Sequence, residues 1–204
     1  MHEMAIRRAI QAAQNTYVPL RKSFFDRQVD CVARDLIGAI LLIDGVGGVI
    51  VETESYDEAD PASHSYRGPT NANGAMFGPS GHAYVYRSYG VHWCLNFVCR
   101  RGSAILIRAL EPGSGIQTMQ ARRGIAEVKS LCAGPGRLCQ ALGVTGSLNG
   151  ASLFVPPFSL QKRRGDVELV SGVRIGITKA REKERRFGAA GSPYLSRRFP
   201  IPNR

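Results

Sequence analysis

Acidic residues are scarce in this sequence. Sixteen Asp and Glu stand against 27 Lys and Arg, a formal charge of +11 and a pI near 9.9. A surplus of that size points to an anionic partner, nucleic acid first and a membrane surface second, or else serves solubility alone. A cysteine framework is missing too. The five cysteines (Cys31, Cys94, Cys99, Cys132, Cys139) are an odd number without a Cys-x-x-Cys pair, which argues against both a disulfide scaffold and a zinc site. Cys94 and Cys99 lie among apolar residues and are expected to pack as small hydrophobes.

Long apolar runs are absent as well. The most apolar region, Leu36 to Val51, is interrupted by Asp44 and four glycines, too broken to span a bilayer. The first twenty residues hold no apolar stretch of signal-peptide length. The expectation is a soluble intracellular protein, cytoplasmic at a bacterial nucleoid or nuclear in a eukaryote. Repeats and low-complexity linkers are also lacking. With 204 residues, 44% hydrophobic and 21% charged, the chain is expected to fold as a single domain over 1–204. Residues 1–22 would form a peripheral N-terminal segment.

What is present begins with a basic tail. From Gln161 onward there are twelve Lys and Arg and only four acids, a net +8 suited to holding phosphates. The Arg181–Arg186 run alternates in sign and also fits a solvated turn.

The periodicities read as α+β, a curved antiparallel sheet with a few packed helices. Phe24–Gly38 has helical spacing, with Asp26 as a candidate N-cap and Gly38 as the stop. Ala39–Ile43 and Gly48–Thr53 read as strands around an Asp44–Gly47 turn. Asp57–Pro79 has no periodicity, and a loop of that length is either functional or disordered. His82–Ser88 and Val91–Cys99 read as a hairpin around Tyr89-Gly90, and Ala104–Leu110 as a further strand. Helices are expected around Ile116–Arg123 and from Pro135 to a Gly143 stop.

Two features carry chemistry. Strand alternation puts Glu52, Glu54 and Tyr56 on one face, with the carboxylates about 6.6–7 Å apart. Inverting glycosidases use a similar separation, about 6.5–9.5 Å, although an exposed polar strand gives the same pattern. The hairpin holds Tyr84, Tyr86, Tyr89 and Trp93 within ten residues. Rings of this kind stack on nucleobases at about 1–3 kcal/mol each, and a large side chain at a tip can wedge between base pairs. A strand packing its own core is the plainer explanation for all of them except Tyr89, whose turn has little core to join.

Several blocks in order carry a resemblance: Val51-Glu52-Thr53-Glu54-Ser55-Tyr56, His64-Ser65, Met76-Phe77, Tyr84-Val85-Tyr86 with Tyr89-Gly90, and Cys94-Leu95-Asn96. Further along come Leu106 to Pro112, Leu131 to Pro135, Leu138 to Leu142 and Gly191-Ser192-Pro193-Tyr194. Together they resemble the alkyladenine (3-methyladenine) DNA glycosylase family over about Asp30 to Ser196. The resemblance implies a single mixed α/β domain for DNA repair by base excision. It would flip alkylated or deaminated purines out of double-stranded DNA and hydrolyse the N-glycosidic bond to leave an abasic site.

In that family's pattern Glu54 is the general base for the attacking water. Arg108 helps hold that water and the carboxylate, and the backbone carbonyl near Ile175 is a third holder. Tyr56, His64 and Tyr86 wall the flipped base, and Asn96 stands where the 2-amino group of guanine would come. Tyr89 is the intercalating wedge. The family needs no metal or other cofactor for the chemistry, and the chain is expected to act as a monomer without membrane contact. No lysine falls in the matched blocks, so a monofunctional hydrolase is expected. Two rivals stay open: a ribohydrolase of free nucleosides working through Glu52 and Glu54, and a non-catalytic nucleic-acid-binding protein.

Hairpin parity supplies a structural test. A two-residue Tyr89-Gly90 turn would pair Tyr86 with Trp93 and put Asn96 on the face opposite Tyr86. Both can line one pocket only if the loop is odd-numbered or a bulge intervenes.

Overall fold

The computed structural model describes residues 18–200. Its frame is an antiparallel sheet of eight strands: β1 (Ile40–Ile43), β2 (Val46–Tyr56), β3 (Ala83–Ser88), β4 (His92–Val98), β5 (Ala104–Ser114), β6 (Phe158–Gln161), β7 (Leu169–Gly172) and β8 (Arg186–Ala189). The main path runs β3-β4-β5-β2-β1-β6, while β7 joins through β8 to β2. Four short helices, α1 (Lys22–Phe25), α2 (Val29–Asp35), α3 (Ile116–Arg123) and α4 (Pro135–Leu142), complete an α+β fold as expected.

The helical stretch near the N-terminus divides where one helix was expected. The Gln28 side chain accepts the Cys31 amide at 3.0 Å and caps α2, so Asp26 is not the cap. Gly38 ends the segment at φ +89°. The first strand turn is also tighter than expected. Asp44 and Gly45 both take positive φ, as a two-residue type I′ hairpin requires, and Gly47 and Gly48 belong to β2. A Cβ on Gly47 would come 2.0 Å from the Leu41 carbonyl oxygen, and one on Gly48 would come 1.9 Å from that of Glu111. Only glycine fits where backbone approaches that closely. Pro19 bridges to Gln161 and the Leu20 amide bonds Leu160, so this part of the 1–22 segment is tied to the sheet rather than set apart.

The strand that matters most is β2. Along one edge it pairs with β5 throughout; along the other it pairs with β1 over Val46–Val49 and with β8 over Glu52–Glu54. Its register against β5 slips after Ile50 and slips back after Glu52, leaving Val51 as an extra residue on β2 and Arg108 as an extra residue on β5. Paired bulges of this sort redirect side chains without shifting the rest of the ladder. Thr53 points to the helix side, where its hydroxyl donates to the Ala33 carbonyl on α2 at 3.0 Å. Glu52 and Glu54 therefore point to the other face.

The apolar core fills the space between sheet and helices. Val29, Val32, Leu36 and Ile37 from the α2 region and Leu138, Cys139, Ala141 and Leu142 from α4 join Leu41, Ile50, Leu95, Phe97, Ile105 and Ile107 of the sheet. All five cysteines are free, and Cys94, Cys99, Cys132 and Cys139 are buried as small hydrophobes.

The hairpin settles the parity question. Ser88 pairs with His92, Tyr86 with Cys94 and Tyr84 with Asn96, so the loop has three residues, Tyr89 to Val91. That odd number puts Tyr84, Tyr86 and Asn96 on one face. The loop from Asp57 to Pro79 is built of turns with a short 3-10 segment, Gly74–Phe77. It is cross-braced from within: buried Asn73 donates through Nδ2 to the carbonyls of His64 (2.8 Å) and Gly68 (3.1 Å).

Candidate active site

A cavity of about 1170 Å³ opens between the 57–79 loop, the β3–β4 hairpin and the 173–180 loop. It exceeds the about 300–1,000 Å³ of ordinary small-molecule pockets, leaving room for a nucleotide and part of its backbone. Tyr56, His64, Tyr86, Asn96 and Arg108 all line it, as does Tyr89 at the rim. Five side chains far apart in sequence thus meet in one cavity.

Glu54 lies just beneath the floor, with no exposed surface of its own. Its Oε1 accepts the Ile175 amide at 2.7 Å, and its Oε2 accepts the Tyr56 hydroxyl at 2.8 Å. Nη1 of Arg108 lies 3.2 Å from the same Oε2. All three holders line the cavity. A carboxylate offers about four acceptor positions, so two hydrogen bonds and the Arg108 ion pair still leave room for a water. Ile175 reaches Glu54 through its N–H and not through the carbonyl expected there, because a carboxylate needs a donor.

The two carboxylates of the Glu-x-Glu pair share one guanidinium and differ otherwise. Glu52 is also fully buried, but its Oε1 accepts from Arg108 Nε (3.1 Å), Arg186 Nε (2.7 Å) and the Ser196 hydroxyl (2.8 Å). Its Oε2 takes the Ser196 amide at 2.5 Å. With four donors for about four acceptor positions, Glu52 is unavailable as the second acid that a paired-carboxylate ribohydrolase needs.

The wall residues are fixed by one another. His64 Nδ1 lies 2.8 Å from the Tyr84 hydroxyl, and its ring meets Tyr86 edge-on at 4.5 Å and 70°. Tyr56 rests against the Arg174 guanidinium, 4.6 Å from ring centroid to carbon. Asn96, buried, donates through Nδ2 to the Tyr84 carbonyl at 3.0 Å.

Electrostatics keep these walls neutral. Burial, then the Glu54 carboxylate, pushes the Tyr56 phenol well above its ordinary range. Burial does the same to Tyr86 and raises Tyr84 to about 12. His64 moves the other way: partial burial lowers its pKa, which favours the uncharged imidazole. Arg108 stays charged, because Glu54 and Glu52 outweigh the burial that opposes it.

Sequence reasoning missed Arg174, whose guanidinium is buried in a two-pronged pair with Asp60 and donates to the Ser55 carbonyl at 3.0 Å. Burial works against the Asp60 charge, but Arg174 overrides it and holds the carboxyl below its usual range. Arg174 thereby anchors the loop that presents the Ile175 amide. The basic tail needs correction in the same way. Arg174 pairs with Asp60, Arg186 with Glu52, and Arg185 with Asp57 and Asp30, so these three are internal fasteners. The cations that line the cavity are Arg67, Arg87, Arg108 and Lys179, of which Arg67, Arg87 and Lys179 are exposed. Nothing in the sequence separates an inward arginine from an outward one.

At the rim, Tyr89 is 90% exposed and holds φ +51° without being glycine. The conformation belongs to a turn in which Gly90 also takes positive φ and the Val91 amide donates to the Ser88 carbonyl at 3.0 Å.

Comparison with known proteins agrees with this geometry. A family model described as methylpurine-DNA glycosylase matches residues 23–193. A Nitrosospira multiformis protein is 58% identical over 175 residues, covering 84% of this chain and 91% of its own. One from Bradyrhizobium diazoefficiens is 55% identical over 185 residues, 89% and 92% of the two chains. A third, from Rhodopseudomonas palustris, is 54% identical over 193 residues, 93% and 96%. All three are provisionally named 3-methyladenine DNA glycosylase. With a family model covering most of its length and relatives this similar, the chain belongs to the methylpurine-DNA glycosylase family.

Proposed function

We propose that the cavity receives a damaged purine nucleotide swung out of duplex DNA, and that Glu54 deprotonates the water that replaces the base. The family makes the chain a DNA glycosylase of base excision repair, a hydrolase of N-glycosyl bonds. The observation that carries the mechanism is the placement of Glu54, whose three holders, Tyr56, Arg108 and Ile175, all face the cavity.

The proposed steps follow from the parts. Extruding a base costs a few kcal/mol, less for a damaged one, and the rings of Tyr56, His64 and Tyr86 recover some of it by stacking. An alkylated purine carries positive charge, which suits neutral, π-rich walls. Water attacks C1′ and passes a proton to Glu54 while the glycosidic electron pair leaves with the base and cancels its charge. General-base assistance of this kind contributes about 10²–10⁴-fold. The products are a free purine and an abasic site. Asn96 stands where the 2-amino group of guanine would come, helping to exclude the normal base. Tyr89 fills the gap left in the duplex. One copy of the chain supplies walls, base and wedge, so a monomer suffices.

The exposed rim cations Arg67, Arg87 and Lys179 are the proposed phosphate contacts, in place of the inward arginines of the tail. Hydrolysis by water needs no amine, so borohydride should trap no covalent complex between enzyme and abasic DNA. The decisive experiment is excision from duplexes that each carry one defined lesion, scored as abasic sites, with Glu54→Gln alongside wild type. Wild-type rates in Glu54→Gln would overturn the mechanism.

A further inference from the structure

We infer that Glu52 is a positioning residue for the reaction: with Arg186 and Ser196 it holds Arg108 so that the guanidinium presents only one nitrogen to Glu54. The inference rests on the Glu54 mechanism above and deepens it.

Arg108 occupies the bulge on β5, and each of its three nitrogens has a separate partner. Nε goes to Glu52 at 3.1 Å, Nη1 to Glu54 at 3.2 Å and Nη2 to the Ser196 hydroxyl at 3.4 Å. A guanidinium left alone with one carboxylate prefers the two-pronged arrangement. That pairing would occupy the acceptor position on Glu54 that a water needs. Glu52 prevents it by engaging Nε.

Charge gives a second reason. Beneath the cavity lie two carboxylates, Glu52 and Glu54, and two guanidiniums, Arg108 and Arg186, all buried. The set is neutral as a whole. Removing the Glu52 charge alone would leave two cations facing one carboxylate, in a medium where such imbalance is costly.

The fastening comes from the C-terminal segment. Ser196 gives both its amide and its hydroxyl to Glu52. The Arg186 guanidinium donates to the Arg197 carbonyl and lies 3.9 Å from the Phe199 ring centroid. Ser196 lies beyond the residues 23–193 that the family model matches.

The test separates positioning from mere support. Single-turnover excision and affinity are measured on a duplex bearing one 7-methylguanine, for wild type, Glu52→Gln, Glu54→Gln and the double variant Glu52→Gln/Arg186→Gln. Glu52→Gln is expected to slow excision about 10²-fold, the scale of a small misplacement in a site, with lesion affinity within about threefold. The double variant restores charge balance and is expected to regain at least tenfold of the lost rate. Equal losses of rate and affinity, or a double variant slower than the single, overturn the proposal. If Glu52→Gln does not fold, Glu52→Asp keeps the charge but withdraws it by a methylene, and the same split between rate and affinity is expected; loss of both together counts against the role. Glu54→Gln distinguishes the failures. Wild-type excision there sinks the underlying mechanism, whereas an inactive Glu54→Gln beside a fully active Glu52→Gln sinks only the role of Glu52.

Discussion

The floor of the cavity and the tip of the hairpin are built on opposite terms. At the floor, Glu54 has no exposed surface, two hydrogen bonds and an ion pair on its carboxylate. At the tip, Tyr89 is 90% exposed and held only by a backbone turn with positive φ. The contrast suits the roles proposed for each. A group that handles a proton gains by being fixed before the substrate arrives, since reorganisation during reaction adds to the barrier. A group that enters another molecule must stand clear of its own. The floor is stable by neighbours and the tip is available by lacking them.

Substitutions can break that contrast, beginning at the floor. Glu54→Gln should lower excision by about 10²–10⁴-fold while the lesion duplex still binds, measured by single-turnover kinetics beside a binding titration. Next comes the brace below Tyr56. Arg174→Ala leaves the buried Asp60 charge with only Arg185 at 3.5 Å, and breaking a buried pair costs up to about 3–5 kcal/mol, readable in urea unfolding. A loss below about 1 kcal/mol there would mean that the 173–180 loop is anchored by something else.

The tip should respond in the opposite sense. Tyr89→Ala is expected to lose about 1–3 kcal/mol of lesion binding, the scale of one stacked ring, with thermal stability unchanged. If stability falls and binding does not, the tip is structural and the contrast fails. Smaller again is the effect of the rim. Each of Arg67→Gln, Arg87→Gln and Lys179→Gln should flatten the slope of log affinity against log salt by about 0.9 if it meets one phosphate. An unchanged slope in all three returns the phosphate contacts to the outward residues of the tail.

The smallest predicted effect is a pH dependence at His64. Its folded pKa lies below the ordinary histidine value, so the unfolded chain takes up the proton more readily. Stability from this group is thus present above about pH 6.5 and declines as the pH falls below it. Protonation would also place a positive charge on a wall meant for a cationic base. Binding of a 7-methylguanine duplex should therefore weaken on acidification more in wild type than in His64→Gln.

Much of this was legible in the sequence, and for physical reasons. Period-two alternation put Glu52 and Glu54 on one face, and both do reach the same guanidinium. For Tyr86 and Asn96 to share one pocket, parity required an odd loop or a bulge between them, because side-chain direction in a strand flips with every residue, and the loop is three residues long. Gly143, which takes positive φ, marked the end of α4. Misreadings cluster where a side chain has a choice of partners. Asp26 and Gln28 are both capable caps, and the choice between them depends on how α1 packs, with Phe25 fully buried. The twelve bases of the tail look alike as letters, yet Arg174 finds Asp60 at a separation of 114 residues and becomes part of the interior.

The sequence by itself determined the strand and helix periods, the family and the identity of the chemical groups, because these depend on local spacing and residue type. Only the tertiary structure decided which of two neighbouring carboxylates keeps a free acceptor position and which arginines turn inward. Those outcomes depend on partners brought in from distant segments, and burial gives a charge its meaning only once such a partner is in place.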